Sequence, residues 1–253
     1  MNMGFQDSHC HLYMLPEREL EKALKDAKEK RVEKMVSCST SFKSNEDNIY
    51  LSEKYPKIRA ALGLYPLDAL ELSNEELERA FSFIRKQSRR EEVVAIGEVG
   101  LDHKFAKSDE EKERQEFVFR RFISLAKEIE KPLIVHSRYA QSRALRVLEE
   151  EKAEKVLMHS FIDSSKLMGR AAELGYFVSV GMIVLENCDV QKRIGEFPTE
   201  SLLFETDSPI RFAGERAMPK DIARIASKVA ELKGVGPEKV GAALEKNFER
   251  LFG

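Results

Sequence analysis

Eight short apolar or β-branched runs alternate with longer Glu/Lys-rich stretches of helical spacing, and this alternation predicts a (β/α)8 TIM barrel with a site at the C-terminal rim of its strands. Length and continuity agree. The 253 residues match one such barrel, and a hydrophobic content of 42% is ample for a buried core. No Gly/Ser/Pro linker and no low-complexity tract divides the chain, so residues 1–253 read as a single domain. An open doubly wound sheet is the competing architecture. It fits less well, because the first strand leads into "MGFQDSHCHL" rather than a G-x-G-x-x-G turn.

Strands are expected at 4–8, 32–38, 58–63, 93–98, 132–136, 155–159, 176–181 and 202–206. Among the helical patterns, 75–90 places Leu77, Phe81 and Ile84 on one face, and 111–130 is read with Phe117, Phe122, Leu125 and Ile129 toward the core. Two more helices, over 220–234 and 237–253, end the chain.

Composition narrows the function classes. There is no run of about 18 apolar residues and no signal-peptide pattern at the start, so a cytoplasmic protein with no membrane partner is expected. Cys10, Cys38 and Cys188 form no C-x-x-C and read as small buried side chains, without a disulfide framework or thiolate metal site. The net charge of −2 arises from 42 basic and 44 acidic residues, interspersed rather than blocked. That balance does not announce a nucleic-acid partner, but bound divalent cations and a few local arginines can supply the positive field it hides. The 34% charged content, many Glu/Lys helix pairs and absence of Trp fit a thermophile.

The chemistry gathers at strand ends. On an extended strand Asp7, His9 and His11 project to one side, and two imidazoles there make a bidentate grip for a metal. Alone, H-x-H is equally served by one core histidine and one at the surface. Glu98, His136, His159 and Asp207, however, also follow runs of β-formers, in "VVAIGEVGLD", "PLIVHSR", "KVLMHSF" and "LLFETDSP". Six such groups use four of the five histidines, and a barrel brings these positions to its C-terminal rim.

With these motifs the chain resembles the TatD-family metal-dependent deoxyribonucleases, a branch of the amidohydrolase-like barrels. The matches run in order: "DSHCHL" at 7–12, "ALGLYP" at 61–66, "IGEVGLD" at 96–102, "PLIVHSR" at 132–138, "MHSF" at 158–161, "ETDSP" at 205–209 and "NFERLF" at 247–252. The resemblance implies two divalent metals. His9 and His11 would bind one, His136 and His159 the other, Glu98 would bridge them, and Asp207 would complete the first site facing the nucleophilic water. Amidohydrolases acting on cyclic amides commonly bridge with a modified lysine in this region. A glutamate there favours phosphoester chemistry.

A shell of imidazole and carboxylate without thiolate suits Mg2+, Mn2+ or Zn2+. Two such ions activate a water and stabilise both attacking and leaving oxygens at phosphorus. Asp207 is then either a general base or a purely structural ligand. Around the metals, Arg138 is a candidate phosphate clamp and Arg216 a second phosphate contact. Tyr65 can donate a hydrogen bond or stack on a base, and His103 would line substrate space. Asp102 is a candidate orienting partner for a ligand.

Several of these outer positions depart from the family. Tyr65 stands where a histidine is more usual, Tyr139 where the family is often acidic, "HSFID" replaces a glycine-containing turn, and "RAMP" lacks the Asn and Glu that often follow the arginine. The function expected is metal-dependent hydrolysis of phosphodiester bonds in DNA, exonuclease-like, on single strands or strand ends, with no obligate protein partner. The alternatives are a metal-dependent ester or amide hydrolase, including one acting on aminoacylated RNA, and a non-catalytic metal-binding protein.

Overall fold

The computed structural model describes residues 4–253. All eight expected strands form: β1 (Phe5–Cys10), β2 (Val32–Cys38), β3 (Ile58–Leu62), β4 (Val93–Gly100), β5 (Leu133–His136), β6 (Val156–Met158), β7 (Phe177–Val180) and β8 (Leu202–Phe204). They follow one another in sequence order within one sheet, the order of a (β/α)8 barrel. The helices are α1 (Glu17–Glu29), α2 (Phe42–Lys54), α3 (Asp68–Glu71), α4 (Asn74–Gln87), α5 (Asp109–Glu128), α6 (Gln141–Glu150), α7 (Ser165–Glu173), α8 (Cys188–Glu196), α9 (Ile222–Lys233) and α10 (Pro237–Phe252). Ser41, Ser73, Ser108, Ser164 and Asn187 start five of them by accepting a backbone N–H of the first turn. Between β8 and α9 lies a short hairpin, β9 (Arg211–Phe212) with β10 (Glu215–Arg216).

The strands depart from the sequence reading at the ends that carry chemistry. β1 runs on to Cys10, because Cys10 pairs with Ser37 of β2, and so His9 lies within the strand. β4 runs on to Gly100, held by the pairs Val99 with Val135 and Gly100 with His136. Gly100 has φ 139°, and a Cβ there would come within 2.0 Å of the His136 carbonyl oxygen, so only glycine fits. β8 stops earlier, at Phe204, where the Thr206 N–H leaves the ladder and donates to Asp7 Oδ1 at 3.0 Å.

The chain forms two compact units, one comprising the chain up to Ser37 with Ser160–Gly253, the other Cys38–His159. In the first, β1 pairs with β2 and β7 with β8, all parallel. β1 and β8 meet through a side chain, with Ser8 Oγ donating to the Phe204 carbonyl at 2.7 Å. The "NFERLF" asparagine has a structural use here. Buried Asn247 donates to the carbonyls of Thr199 (2.7 Å) and Leu202 (2.8 Å), fastening α10 to the start of β8.

In the second unit β3, β4, β5 and β6 pair in parallel. Leu77, Phe81 and Ile84 of α4 are buried as their spacing predicts, and the Phe81 ring packs on Phe122 with centroids 4.5 Å apart. The face assigned to α5 requires correction. Phe117 is 51% exposed and Ile129 only partly buried, while Phe122 and Leu125 are buried as expected, in a stripe with Gln115, Val118, Phe119, Ile123 and Ala126. These recur at i, i+3 and i+4, whereas five residues separate Phe117 from Phe122 and turn it about 140° away. Phe117 instead lies against Arg114 and Arg121, whose guanidinium carbons are 5.8 and 5.9 Å from its ring centre. Cys10 and Cys38 are buried, but Cys188 is exposed, since it opens α8 on the polar side of the helix. Among the described residues no helix is long and apolar enough to cross a membrane.

Replacing the buried Phe119 by alanine is expected to lower unfolding free energy by about 3–5 kcal/mol, and Phe117→Ala by about 0.5–1 kcal/mol. Urea denaturation measures both. Equal losses would contradict this assignment of the α5 core face.

Candidate metal centre

Three ligand-type side chains meet where β1 and β8 end. His9 is the fifth residue of β1, His11 follows that strand, and Asp207 follows β8. The segments are joined by main chain, with His11 N–H donating to Ser208 O at 2.6 Å and Asp207 N–H to His9 O at 3.0 Å. Asp207 has φ 56°, a left-handed conformation that aspartate tolerates better than most residues. His9 Nε2 and His11 Nε2 are 3.2 Å apart, and Asp207 Oδ1 lies 3.4 Å from the first and 3.2 Å from the second. The histidine side chains are 0% and 5% exposed, that of Asp207 35%.

Beneath them, Asp7 accepts from Thr206 N–H at 3.0 Å and from Thr206 Oγ1 at 2.5 Å. Complete burial outweighs those bonds and pushes the Asp7 carboxyl up to about 8, so it holds its proton at neutral pH. Asp7, His9 and His11 thus all turn toward residues that follow β8. Thr206 lacked any signal except its place beside Asp207.

The second unit carries the other set. Glu98 lies on β4, His136 closes β5 and His159 follows β6, with one ligand atom of each mutually within 4.8 Å. His136 Nδ1 is 2.7 Å from Glu98 Oε1, yet outside hydrogen-bonding geometry. The other ring nitrogen, Nε2, faces Asp102 Oδ2 at 3.3 Å. With Nε2–H donating to Asp102, the Nδ1 lone pair remains for a cation on the Glu98 side, the carboxylate–histidine–metal relation.

Tyr65 joins the same carboxylate. Its hydroxyl donates to Asp102 Oδ2 and stands 3.1 Å from His136 Nε2. The Lys104 N–H donates to Asp102 Oδ1 at 3.0 Å. Gln115 clamps the Asp102 backbone, accepting from its N–H at 2.9 Å and donating to its carbonyl at 3.2 Å. Burial by itself would lower the His136 imidazole, but the Asp102 and Glu98 carboxylates overcome it and hold it above its ordinary value. Burial, the Asp102 bond and nearby Glu98 push the Tyr65 phenol far up, so it stays protonated. Burial alone would raise Asp102, but its His136 and Tyr65 bonds outweigh that and keep it below the usual carboxylate range.

These donors suit a divalent cation. The triangle formed by His9, His11 and Asp207 has edges of 3.2–3.4 Å. A cation about 2.1 Å from each corner would lie within roughly 1 Å of its plane. Around His136 the same need is electrostatic, since two carboxylates favour positive charge at that ring.

The remaining predicted residues lie outside these sets. Arg138 is exposed two residues beyond His136, its guanidinium carbon 5.8 Å from the Phe105 ring centre. Arg216 on β10 is exposed and donates to Glu19 at 2.7 Å. His103 lines a surface cleft with Asp109, Lys112, Glu116 and Arg143, where burial and then the Lys112 charge lower its imidazole. Gln115 was not foreseen, because a glutamine on the buried stripe of a helix looks like any surface residue in sequence.

Residues 6–253 match the family model described as TatD related DNase. The chain is 34% identical over 255 residues to YabD of Bacillus subtilis, named an uncharacterized metal-dependent hydrolase, covering 97% of this chain and 98% of that protein. It is 32% identical over 262 residues to the Homo sapiens deoxyribonuclease TATDN3, covering 99% and 95%. The crystal structure of YjjV, a TatD homologue from Escherichia coli, superposes with a TM-score of 0.88 at 29% identity over 98% of this chain and 97% of that one. The chain belongs to the TatD-related DNase family of metal-dependent hydrolases.

Proposed function

We propose that the protein hydrolyses phosphodiester bonds in DNA, acting on single strands or strand ends, with two divalent cations (Mg2+, Mn2+ or Zn2+) held by the two ligand sets. His9, His11 and Asp207 would hold one ion and His136 and His159 the other, with Glu98 between them at the barrel rim. Such ions would lower the pKa of an attacking water and balance charge on the oxygens at phosphorus.

The observation that carries the reading is the position of Asp207. Its carboxylate is a third exposed, whereas both histidines it contacts are buried. It is therefore the member of its set open to substrate, and it takes the proton of the attacking water. Asp102 holds the His136 ring by Nε2, fixing which nitrogen is offered to metal. Because the Tyr65 hydroxyl is committed to Asp102, what Tyr65 offers a substrate is its ring. Arg138 clamps a phosphate next to His136, Arg216 contacts one further along the strand and His103 borders the substrate path. The deoxyribonuclease relative supports DNA as substrate.

Stripping the protein with a chelator is expected to abolish cleavage of a single-stranded oligonucleotide, and Mn2+ or Mg2+ to restore it. Turnover confined to carboxyl esters, or cleavage indifferent to chelation, would reject the proposal. Asp207→Asn is expected to lower kcat at least 100-fold even at metal concentrations that restore full occupancy, while the melting temperature stays near wild type.

Asp102→Asn is expected to weaken metal binding at the His136 set about 10–100-fold, read by Mn2+ titration under electron paramagnetic resonance. Unchanged affinity would show that Asp102 does not orient the ligand.

A further inference from the structure

Two large aromatic rings face solvent on the loops that follow the strands bearing Glu98 and His136. Phe105, in the loop after β4, is 48% exposed, and Tyr139, in the loop after β5, is 73% exposed. Both loops belong to one unit and are tied together, His103 N–H donating to the Arg138 carbonyl at 2.9 Å. Lys104 Nζ lies 5.4 Å from the Phe105 ring centre and 5.9 Å from that of Tyr139, and Arg138 stands 5.8 Å from Phe105. Two rings thus share one ammonium group, with a guanidinium beside them.

Packing does not account for this arrangement. Tyr139 has φ 57°, a left-handed conformation that costs a bulky residue energy, and burial of its ring does not offset the cost. Backbone held in this way at a functional rim points to a ligand. The patch is also coupled to the metal ligands. Lys104 N–H donates to Asp102 Oδ1, the carboxylate that meets His136, and Arg138 lies two residues after His136.

We propose that Phe105 and Tyr139, bracketed by Lys104 and Arg138, form a stacking platform for an unpaired nucleobase at the end of a DNA strand. Aromatic faces hold any base by stacking, and cations among them meet the adjoining phosphates. Bases within a duplex already have both faces covered, so the platform selects frayed or single-stranded ends with little regard to sequence. The proposal rests on the DNA-hydrolase reading of the neighbouring ligands.

The test uses the full-length, Mn2+-loaded protein and two single-stranded oligonucleotides, one normal and one with abasic residues at its ends. The readout is the ratio of kcat/KM for the normal and abasic strands. Phe105→Ala and Tyr139→Ala are expected to lower that ratio roughly tenfold each, and Tyr139→Phe to retain it. Lys104→Ala is expected to reduce the slope of log kcat/KM against log salt by about 0.7, the loss of one phosphate contact. A wild type that cleaves both strands equally, or alanine variants with an unchanged ratio, would overturn the platform and leave the hydrolase reading standing. A wild type that cleaves neither strand would overturn both. Weakened binding of an unstructured acidic peptide, with the ratio unmoved, would reassign the patch to a protein partner.

Discussion

Much of the second unit's chemistry hangs on the hydrogen bond between His136 Nε2 and Asp102. A carboxylate buried at the end of a strand is costly unless several donors meet it. Asp102 receives His136, the Tyr65 hydroxyl and the Lys104 amide, while Gln115 holds its main chain from α5. Every group that depends on it is thereby placed: the ring of His136, the hydroxyl of Tyr65 and the start of the loop carrying Phe105. Gly100 is part of the same constraint, since any side chain there would strike the His136 carbonyl and push β4 away from β5.

Asp7 shows the opposite solution in the other unit. It lies within β1, two residues before His9, but its donors come almost wholly from one residue, Thr206, and burial wins. The result is a neutral carboxyl that ties β1 to the segment after β8. Asp102 can instead remain an anion, because a histidine, a phenol and the nearby Arg138 charge all favour that state. Identical residue types therefore serve differently. One stiffens the floor beneath His9 and His11, and the other sets the charge and ring orientation of His136.

The strands were legible because buried parallel strands read as continuous apolar runs, and the candidate ligand residues stood out because they interrupt those runs at one end. His9, Glu98 and His136 fall within strands and His11, His159 and Asp207 just beyond, as a barrel rim requires. What escaped depended on partners distant in sequence. "FVF" in α5 contains two phenylalanines of equal hydropathy, and only the phase of the helix against β4 sends Phe119 inward and Phe117 outward. Cys188 reads as a buried residue until the first turn of α8 is placed. Nothing in "GLYP" reveals that the Tyr65 hydroxyl is taken by a carboxylate 37 residues later.

The near-neutral composition poses a last question, since the net charge of −2 offers a nucleic acid no general attraction. Many basic residues are paired with carboxylates, such as Arg120 with Glu116, Glu150 and Glu151, or Arg121 with Glu78. Charge so neutralised gives solvation rather than a field. At the loop patch, by contrast, the Lys104 and Arg138 head groups lie over aromatic faces, which attract a cation without cancelling its charge. On the proposed reading, a positive potential at those loops would draw a phosphate backbone toward the side of the unit that carries Glu98 and His136. Weak general attraction combined with local attraction would suit the proposed engagement of a strand end, because a product held at few points is readily released.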